Sequence, residues 1–219
     1  MLEAGCVYIV KLMERAEFSA RISGAANPKS STGRLDVFTR LITDHGTEFD
    51  RVREEYHGPL YAEVSPRTFS VLVREGSRLS QLRIRRGDAS SNDEKHRELQ
   101  RQHHLVGSIP LSDIRDGVPV SVDVRGESSD GIIGYRAKKN SHVIDLAKVG
   151  HYTAADFWEP LYRHRHDSLL LEPEEFYILA SKERIRVPAG YAAEMVAYEA
   201  ACGELRTHYA GFFDPGFGY

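Results

Sequence analysis

A nine-residue segment near the start of the chain gathers the side chains that a phosphorylated ligand needs. Residues 27–35 read Asn-Pro-Lys-Ser-Ser-Thr-Gly-Arg-Leu, so hydroxyls, a glycine and the cations Lys29 and Arg34 share one short stretch. Polyphosphate oxygens are charged acceptors, and hydroxyls, backbone N–H groups and fixed cations are the donors that bind them. The Walker pattern G-x-x-x-x-G-K-[S/T] is absent. Taken alone, the segment predicts either a phosphate-binding turn or an ordinary polar surface turn.

A carboxylate on an alternating strand is the second candidate for chemistry. The run Leu60–Val64 alternates with period two, so Tyr61 and Glu63 lie on the face opposite its apolar side chains. A carboxylate that faces away from the core can point into a cleft and move protons in general acid–base catalysis. A lone glutamate at such a position is more commonly part of a solvated strand face.

Short β-type runs separated by turn residues make up most of the chain. Val71–Val73 and Arg78–Arg85 flank the turn Arg74–Ser77, which predicts a hairpin with glycine in its loop. Val118–Arg125 and Ile132–Tyr135 are predicted as further strands. The sequence therefore predicts a mainly β protein.

Helices are predicted at two places only. Asn92–His104 is charged and rich in histidine, and Asn92 or Asp93 is suited to cap its N-terminus. Thr153–Tyr162 is a second helix candidate, although Pro160 interrupts it.

An internal repeat relates the start of the chain to a segment 169 residues later. The residues that recur without a gap are Leu2, Glu3, Tyr8, Ile9, Glu14, Arg15 and Ala20, found again as Leu171, Glu172, Tyr177, Ile178, Glu183, Arg184 and Ala189. The second copy begins near residue 105, and neither copy fits whole within 219 residues. The repeat predicts two incomplete copies of one β unit in a chain taken from the middle of a longer protein.

Composition excludes several classes of protein. The formal net charge is −3, from 29 Lys+Arg and 32 Asp+Glu, so no basic excess indicates nucleic-acid binding. No apolar run approaches the roughly 20 residues that cross a bilayer, and the N-terminus does not have the pattern of a signal peptide. Two cysteines do not make a disulfide framework. We therefore expect a cytoplasmic protein that binds neither membrane nor nucleic acid.

Several motifs in order resemble those of the dCTP deaminases, whose β-fold is shared with the trimeric dUTPases. Lys29–Leu35 is similar to the family motif R-S-S-x-x-R-L, and Leu60–Glu63 to the strand that bears the catalytic glutamate. The other matches are Glu48–Asp50 and Ala210–Gly218 to the aspartate motif, Gly76–Leu82 to the G-x-x-x-x-Q-L strand, and Ser121–Arg125 to the opening strand. The resemblance implies two incomplete, dUTPase-like distorted β-barrels or jelly-rolls, at 1–88 and 105–219, with a helical connector at 89–104.

The resemblance also implies roles for individual residues of the first copy. Glu63 would be the proton shuttle, Ser30 would help to position the water, and Arg34 would orient the site. The residues expected to bind substrate are Lys29, Ser31, Thr32, Gly33, Asp50, Tyr61, Gln81 and Asp214. In the second copy, residues 199–206 read Glu-Ala-Ala-Cys-Gly-Glu-Leu-Arg where Ser-Ser is expected, so that copy of the motif has decayed.

The implied reaction is hydrolytic deamination of dCTP to dUTP and ammonia. Zinc deaminases activate water on a metal held by H-x-E and P-C-x-x-C, and no C-x-x-C occurs in this sequence. We therefore expect a metal-free route with no zinc and no metal site in the protein, and Mg²⁺ that arrives with the triphosphate. A homo-oligomer with sites between neighbouring barrels is also implied.

Two other functions stay open from the sequence. One is a dUTPase-like pyrophosphatase, or a bifunctional enzyme that deaminates dCTP and continues to dUMP. The other is a non-catalytic nucleotide-binding β module, which the decayed second copy favours and the intact set of Glu63, Ser30 and Arg34 disfavours.

Overall fold

The computed structural model describes residues 1–88, 90–126, 130–196 and 211–218. It divides into two compact units, of which the first is built mainly from residues 1–88 and 139–156. The second is built mainly from described residues within 90–138 and 157–196. The predicted mainly β fold is confirmed. Among the described residues, the helices are all too short and polar to cross a membrane.

In chain order, the elements are β1 (Tyr8–Glu17), β2 (Ile22–Pro28), α1 (Ser30–Gly33), β3 (Val37–Thr43), β4 (Arg51–Val52), β5 (His57–Pro66), β6 (Val71–Leu72), β7 (Ser80–Arg86), α2 (Asp93–His103), a 3-10 turn (Leu111–Asp113), β8 (Ile132–Ala137), β9 (Ile144–Asp145), α3 (Ala154–Phe157), β10 (Trp158–Tyr162), β11 (Tyr177–Leu179), β12 (Ala193–Glu194) and β13 (Phe212–Phe213).

The central strand of the first unit follows the predicted alternation. β5 pairs antiparallel with β1 on one side and β3 on the other. Leu60, Ala62 and Val64 are buried, whereas Tyr61 and Glu63 on the opposite face are half-buried. The prediction for this strand is confirmed, because a period of two places successive side chains on opposite faces of a sheet.

A second sheet of the first unit has the order β4-β2-β7 and is also antiparallel. Side chains of β1, β3 and β5 meet those of β2 and β4 in one apolar cluster, whose buried members are Ala16, Phe18, Ala26, Leu41, Val52, Tyr56 and Leu60. Gly24 of β2 leaves room for this packing, since a Cβ there would lie 3.0 Å from Leu82 Cδ1 and 3.2 Å from Phe18 Cε2. Burial of one apolar face fixes which face of β5 stays open to solvent.

The hairpin predicted around Arg74–Ser77 is wrong. A turn does form there, but β7 pairs with β2, and β6 pairs in parallel with β9. Arg74 meets Asp145 of β9 with two hydrogen bonds, one of them from Nη2 to Oδ2 at 2.8 Å. These bonds, with one from the Ala147 N–H, lower the pKa of Asp145 from 3.8 to about 2. β6 therefore pairs with β9, a strand distant in sequence, and not with the nearby β7.

Because of this pairing, the compact units differ in extent from the predicted domains. Residues 139–156 follow the start of the predicted second domain, yet they belong to the first unit. Buried Val71 pairs there with buried Ile144. Whether a short strand such as β6 forms depends on the strand that packs against it, and the local sequence does not specify that partner.

In the second unit, β8 lies between β10 and β11. The helix predicted at Thr153–Tyr162 is wrong beyond its first turn, because α3 ends at Phe157 and β10 follows at once. Pro160 has no N–H and suits an edge strand better than a helix. The strand predicted at Val118–Arg125 is reduced to one bridge between Val122 and Ser181.

The helix predicted at Asn92–His104 is confirmed as α2, and so is its cap. Asn92 accepts a hydrogen bond from the Lys95 N–H at 2.9 Å, as an N-cap side chain does. His104 ends the helix in the left-handed conformation, with a φ of 50°.

Hydrogen bonds repeat together with the sequence. The Glu3 N–H donates to Tyr8 Oη at 2.9 Å, and the Glu172 N–H donates to Tyr177 Oη at 3.0 Å. Equivalent turns follow, because the Ile22 N–H donates to the Ser19 carbonyl and the Tyr191 N–H to the Pro188 carbonyl. The two copies share backbone geometry as well as residue types.

Candidate active site

The Lys29–Arg34 segment forms the short turn α1 directly after β2. The N–H groups of Thr32 and Gly33 both donate to the Lys29 carbonyl at 2.9 Å, and the Arg34 N–H donates to the Ser30 carbonyl at the same distance. Ser30, Ser31 and Arg34 are exposed, whereas Thr32 and Gly33 are buried beneath them. The turn therefore presents two hydroxyls and a guanidinium on its outer side.

Gln81 lies beside this turn. It stands directly opposite Asn27 in the β2–β7 pairing, and its Nε2 donates to the Pro28 carbonyl at 3.5 Å. The Lys29 N–H donates to the Leu79 carbonyl at 3.0 Å, which holds the start of the turn against β7. The structure thus brings Gln81 together with the Lys29–Arg34 segment.

Asn27 is a polar residue of this region that sequence reasoning missed. Its side chain is 5% exposed, and its Oδ1 has no hydrogen-bond partner in the described structure. Buried polar atoms are nearly always paired, and the exceptions often lie at functional sites. An asparagine one residue before the Pro-Lys-Ser-Ser run was the available signal.

Glu63 occupies the middle of the open face of β5. Its direct neighbours are Ile9 on β1 and Arg40 on β3. The side chain is half-buried, and within the described residues its carboxylate makes no hydrogen bond or ion pair. A carboxylate without a partner keeps its oxygens available for proton transfer.

Arg40 is the other residue that sequence reasoning missed. Its guanidinium carbon lies 4.4 Å from the centre of the Phe38 ring and 4.8 Å from that of the Phe49 ring. Both distances are within the range of cation–π contacts. The signal available in the sequence was the alternation of β3, which puts Phe38 and Arg40 on one face.

The carboxylate of Asp50 is engaged by backbone. Its Oδ1 accepts from the Leu41 N–H at 2.8 Å, and its own N–H donates to the Leu41 carbonyl at 3.0 Å. Its φ of 61° is left-handed, a conformation that aspartate adopts more readily than most residues. Asp50 therefore closes the loop between β3 and β4, and its contact with substrate stays a prediction.

The sequence match that equates Asp50 with Asp214 is wrong. Gly24 and Ala193 are equivalent positions of the 169-residue repeat. Gly24 pairs with Val52, and Ala193 pairs with Phe213. The residues that follow these partners, Arg53 and Asp214, are therefore equivalent. A second pair of bonds agrees with this register. Those bonds are Phe18 N–H to the Tyr56 carbonyl and Val187 N–H to the Phe217 carbonyl.

Direct contacts join some of the predicted site residues and not others. Lys29–Arg34 and Gln81 lie together, Tyr61 and Glu63 share the open face of β5, and Asp214 is exposed in the second unit. In the part of the chain that the structure describes, no hydrogen bond or ion pair links Glu63 to the α1 turn. The altered motif at residues 199–206 lies outside the described residues.

The same described ranges hold no group of three or more His, Cys, Asp or Glu side chains arranged to bind a metal ion.

Comparisons with known proteins agree on one family. Residues 1–88 match the family described as "2'-deoxycytidine 5'-triphosphate deaminase (DCD) N-terminal domain", and residues 92–219 match "2'-deoxycytidine 5'-triphosphate deaminase (DCD), C-terminal domain". A search of curated proteins finds no match. The crystal structure of 2'-deoxycytidine 5'-triphosphate deaminase from Agrobacterium tumefaciens is 50% identical, with a TM-score of 0.94. The alignment covers 100% of this chain and 63% of that protein. The chain belongs to the 2'-deoxycytidine 5'-triphosphate deaminase family.

Proposed function

We propose that the protein carrying this chain is an enzyme of nucleotide metabolism that hydrolyses dCTP to dUTP and ammonia. The observation that carries the proposal is the 50% identity, over the whole chain, to a protein named as a dCTP deaminase. The first copy also retains Glu63, Ser30 and Arg34, the three residues on which the proposed chemistry depends.

Glu63 moves the protons in this reaction. The oxygen of water adds to C4 of the cytosine ring, and the exocyclic amine leaves as ammonia. One proton of the water ends on N3 and the other on the departing amine, and Glu63 carries both transfers as a general base and then a general acid. Its half-buried carboxylate, without a partner in the described residues, supports this role.

Ser30 and Arg34 position the reactants. Ser30 has one hydroxyl donor and two acceptor lone pairs, so it orients the attacking water toward C4. Arg34 supplies a fixed charge at the end of the same turn. Both side chains are exposed, which supports their contact with a ligand.

The triphosphate binds along the α1 turn. Lys29 and Ser31 donate from their side chains, and buried Thr32 and Gly33 contribute by shaping the backbone of the turn. Gln81 supports the nucleotide from β7. Mg²⁺ enters with the triphosphate as part of the substrate, since this ion binds phosphates with few protein ligands.

Tyr61, Asp50 and Asp214 complete the proposed substrate contacts. Tyr61 shares the open face with Glu63, while Asp50 uses at least one carboxylate oxygen to hold the backbone. We propose a cytoplasmic homo-oligomer with sites between neighbouring barrels.

The test is an assay of ammonia release from dCTP with Mg²⁺, with the nucleotide product identified by chromatography. Wild-type protein should give equal amounts of ammonia and dUTP. Glu63→Gln should lower kcat by about 10²–10⁴-fold, the usual contribution of a general acid or base. Glu14→Gln is the matched control, because Glu14 is an exposed strand glutamate outside the proposed site.

Other outcomes would overturn the proposal. Pyrophosphate release without ammonia would establish a pyrophosphatase. Binding of dCTP without turnover would establish a nucleotide-binding module.

A further inference from the structure

The segment between β3 and β4 is anchored at both ends beside the proposed catalytic strand. At its start, the Asp44 N–H donates to Tyr56 Oη at 3.2 Å. At its end, Asp50 bonds to Leu41 through both backbone and side chain. Phe49 precedes Asp50 directly, so the anchors hold its ring close to β3.

Phe49 and Phe38 together hold Arg40. The guanidinium contacts both rings, at 4.8 and 4.4 Å from their centres. Phe38 is on the same strand face as Arg40, whereas Phe49 comes from the loop. Only the loop contact can be removed without altering β3.

The position of Arg40 makes this arrangement notable for Glu63. The two residues are directly opposite in the antiparallel pairing of β3 and β5. Directly opposite side chains share a face, with Cβ atoms about 4.5–5.5 Å apart, so opposite charges there are close enough to stabilise each other. In the described structure they form no ion pair, and Arg40 contacts the rings instead.

We propose that the 44–49 loop is a latch that keeps Arg40 away from Glu63. The ring contacts compete with a cross-strand ion pair, and they leave the Glu63 carboxylate free to accept and release protons. Arg40 and Phe49 are positioning residues in this scheme. The inference rests on the proposed function, because it assigns them an effect through Glu63.

The test removes the loop ring and then the arginine. Phe49→Ala should free Arg40 to pair with Glu63 and lower kcat for dCTP about two- to fivefold, the effect of an ion pair of modest strength. KM should change little. Adding Arg40→Met to Phe49→Ala should restore kcat, because no cation remains to occupy the carboxylate.

Phe49 is 46% exposed, so its removal leaves the core intact. Tyr162→Ala, which removes an exposed aromatic ring from the second unit, is the matched control and should keep wild-type kcat. A crystal structure of Phe49→Ala gives a measurement independent of activity. It should show the Arg40 guanidinium within about 4 Å of the Glu63 carboxylate.

The outcomes separate the latch from the proposed function. Unchanged kcat in Phe49→Ala, or a loss that Arg40→Met does not restore, would overturn the latch. Wild-type protein that releases no ammonia would overturn the proposed function, and the crystal structure would still decide whether Phe49 holds Arg40 off Glu63.

Discussion

Removal of the Tyr56 hydroxyl tests how the loop beside the proposed site is held. Tyr56 is 3% exposed; its Oη donates to the Pro59 carbonyl and accepts from the Asp44 N–H. Gly58 makes room for this hydroxyl, since a Cβ there would lie 2.8 Å from Tyr56 Oη. Tyr56→Phe keeps the buried ring and deletes both hydrogen bonds.

The two bonds contribute unequally to the expected loss. Asp44 is exposed, so water replaces the hydroxyl as acceptor for its N–H. Pro59 is half-buried, and a carbonyl left without its donor costs about 1–3 kcal/mol. We expect Tyr56→Phe to lower the free energy of unfolding by about 1–2 kcal/mol. At about 2–4 °C per kcal/mol, Tm falls by about 2–8 °C.

Thermal unfolding followed by circular dichroism at neutral pH measures this change. Tyr162→Phe is the control, because that tyrosine is 62% exposed and its hydroxyl has no partner in the described structure. An unchanged Tm for Tyr56→Phe, equal to that of the control, would refute the assigned role of the hydroxyl.

Two further predictions concern polar groups of the first unit. Asp145 has a folded pKa of about 2, below its ordinary 3.8, so its contribution to stability is present above about pH 4 and lost as pH falls toward 2. Asp145→Asn should therefore destabilise the protein at pH 6, and acid titration of Tm should show the gap from wild type closing between pH 4 and 2; a constant gap would contradict the assignment. Asn27→Asp keeps the buried volume and breaks no hydrogen bond to Oδ1, and it should reduce the rise in Tm that dCTP with Mg²⁺ produces by more than it changes the Tm of the free protein. An equal rise in Tm with ligand for variant and wild type would instead indicate a structural role.

Local patterns were sufficient for the parts of the fold that depend on one strand or one helix. The period of two in Leu60–Val64 predicted the face that carries Glu63. A shift of the strand by one residue would turn the apolar side chains to solvent and bury Glu63, so only one register is stable. The cap at Asn92 was predictable because its hydrogen bond spans only three residues.

Partners distant in sequence were not predictable in the same way. β6 pairs with β9 and not with nearby β7, a choice made by burial of Val71 and by the Arg74–Asp145 pair. The ring contacts of Arg40 depend on a loop whose path only the folded chain defines. The same loop, residues 44–49, explains why the sequence match of Asp50 with Asp214 was wrong. Asp50 lies at the end of this loop, whereas Arg53 occupies the strand position equivalent to Asp214.

The parallel pairing of β6 with β9 constrains where the chain can be divided. The chain leaves the first unit after residue 88, builds part of the second, returns for residues 139–156 and then leaves again. A single cut anywhere in residues 90–138 would separate Val71 from its strand partner Ile144 and Arg74 from Asp145. A cut after residue 156 would keep residues 1–88 and 139–156 together, but it would divide residues 90–138 of the second unit from residues 157–196. No single cut between residues 90 and 156 therefore preserves both units, and neither unit can be exchanged between relatives as one continuous segment.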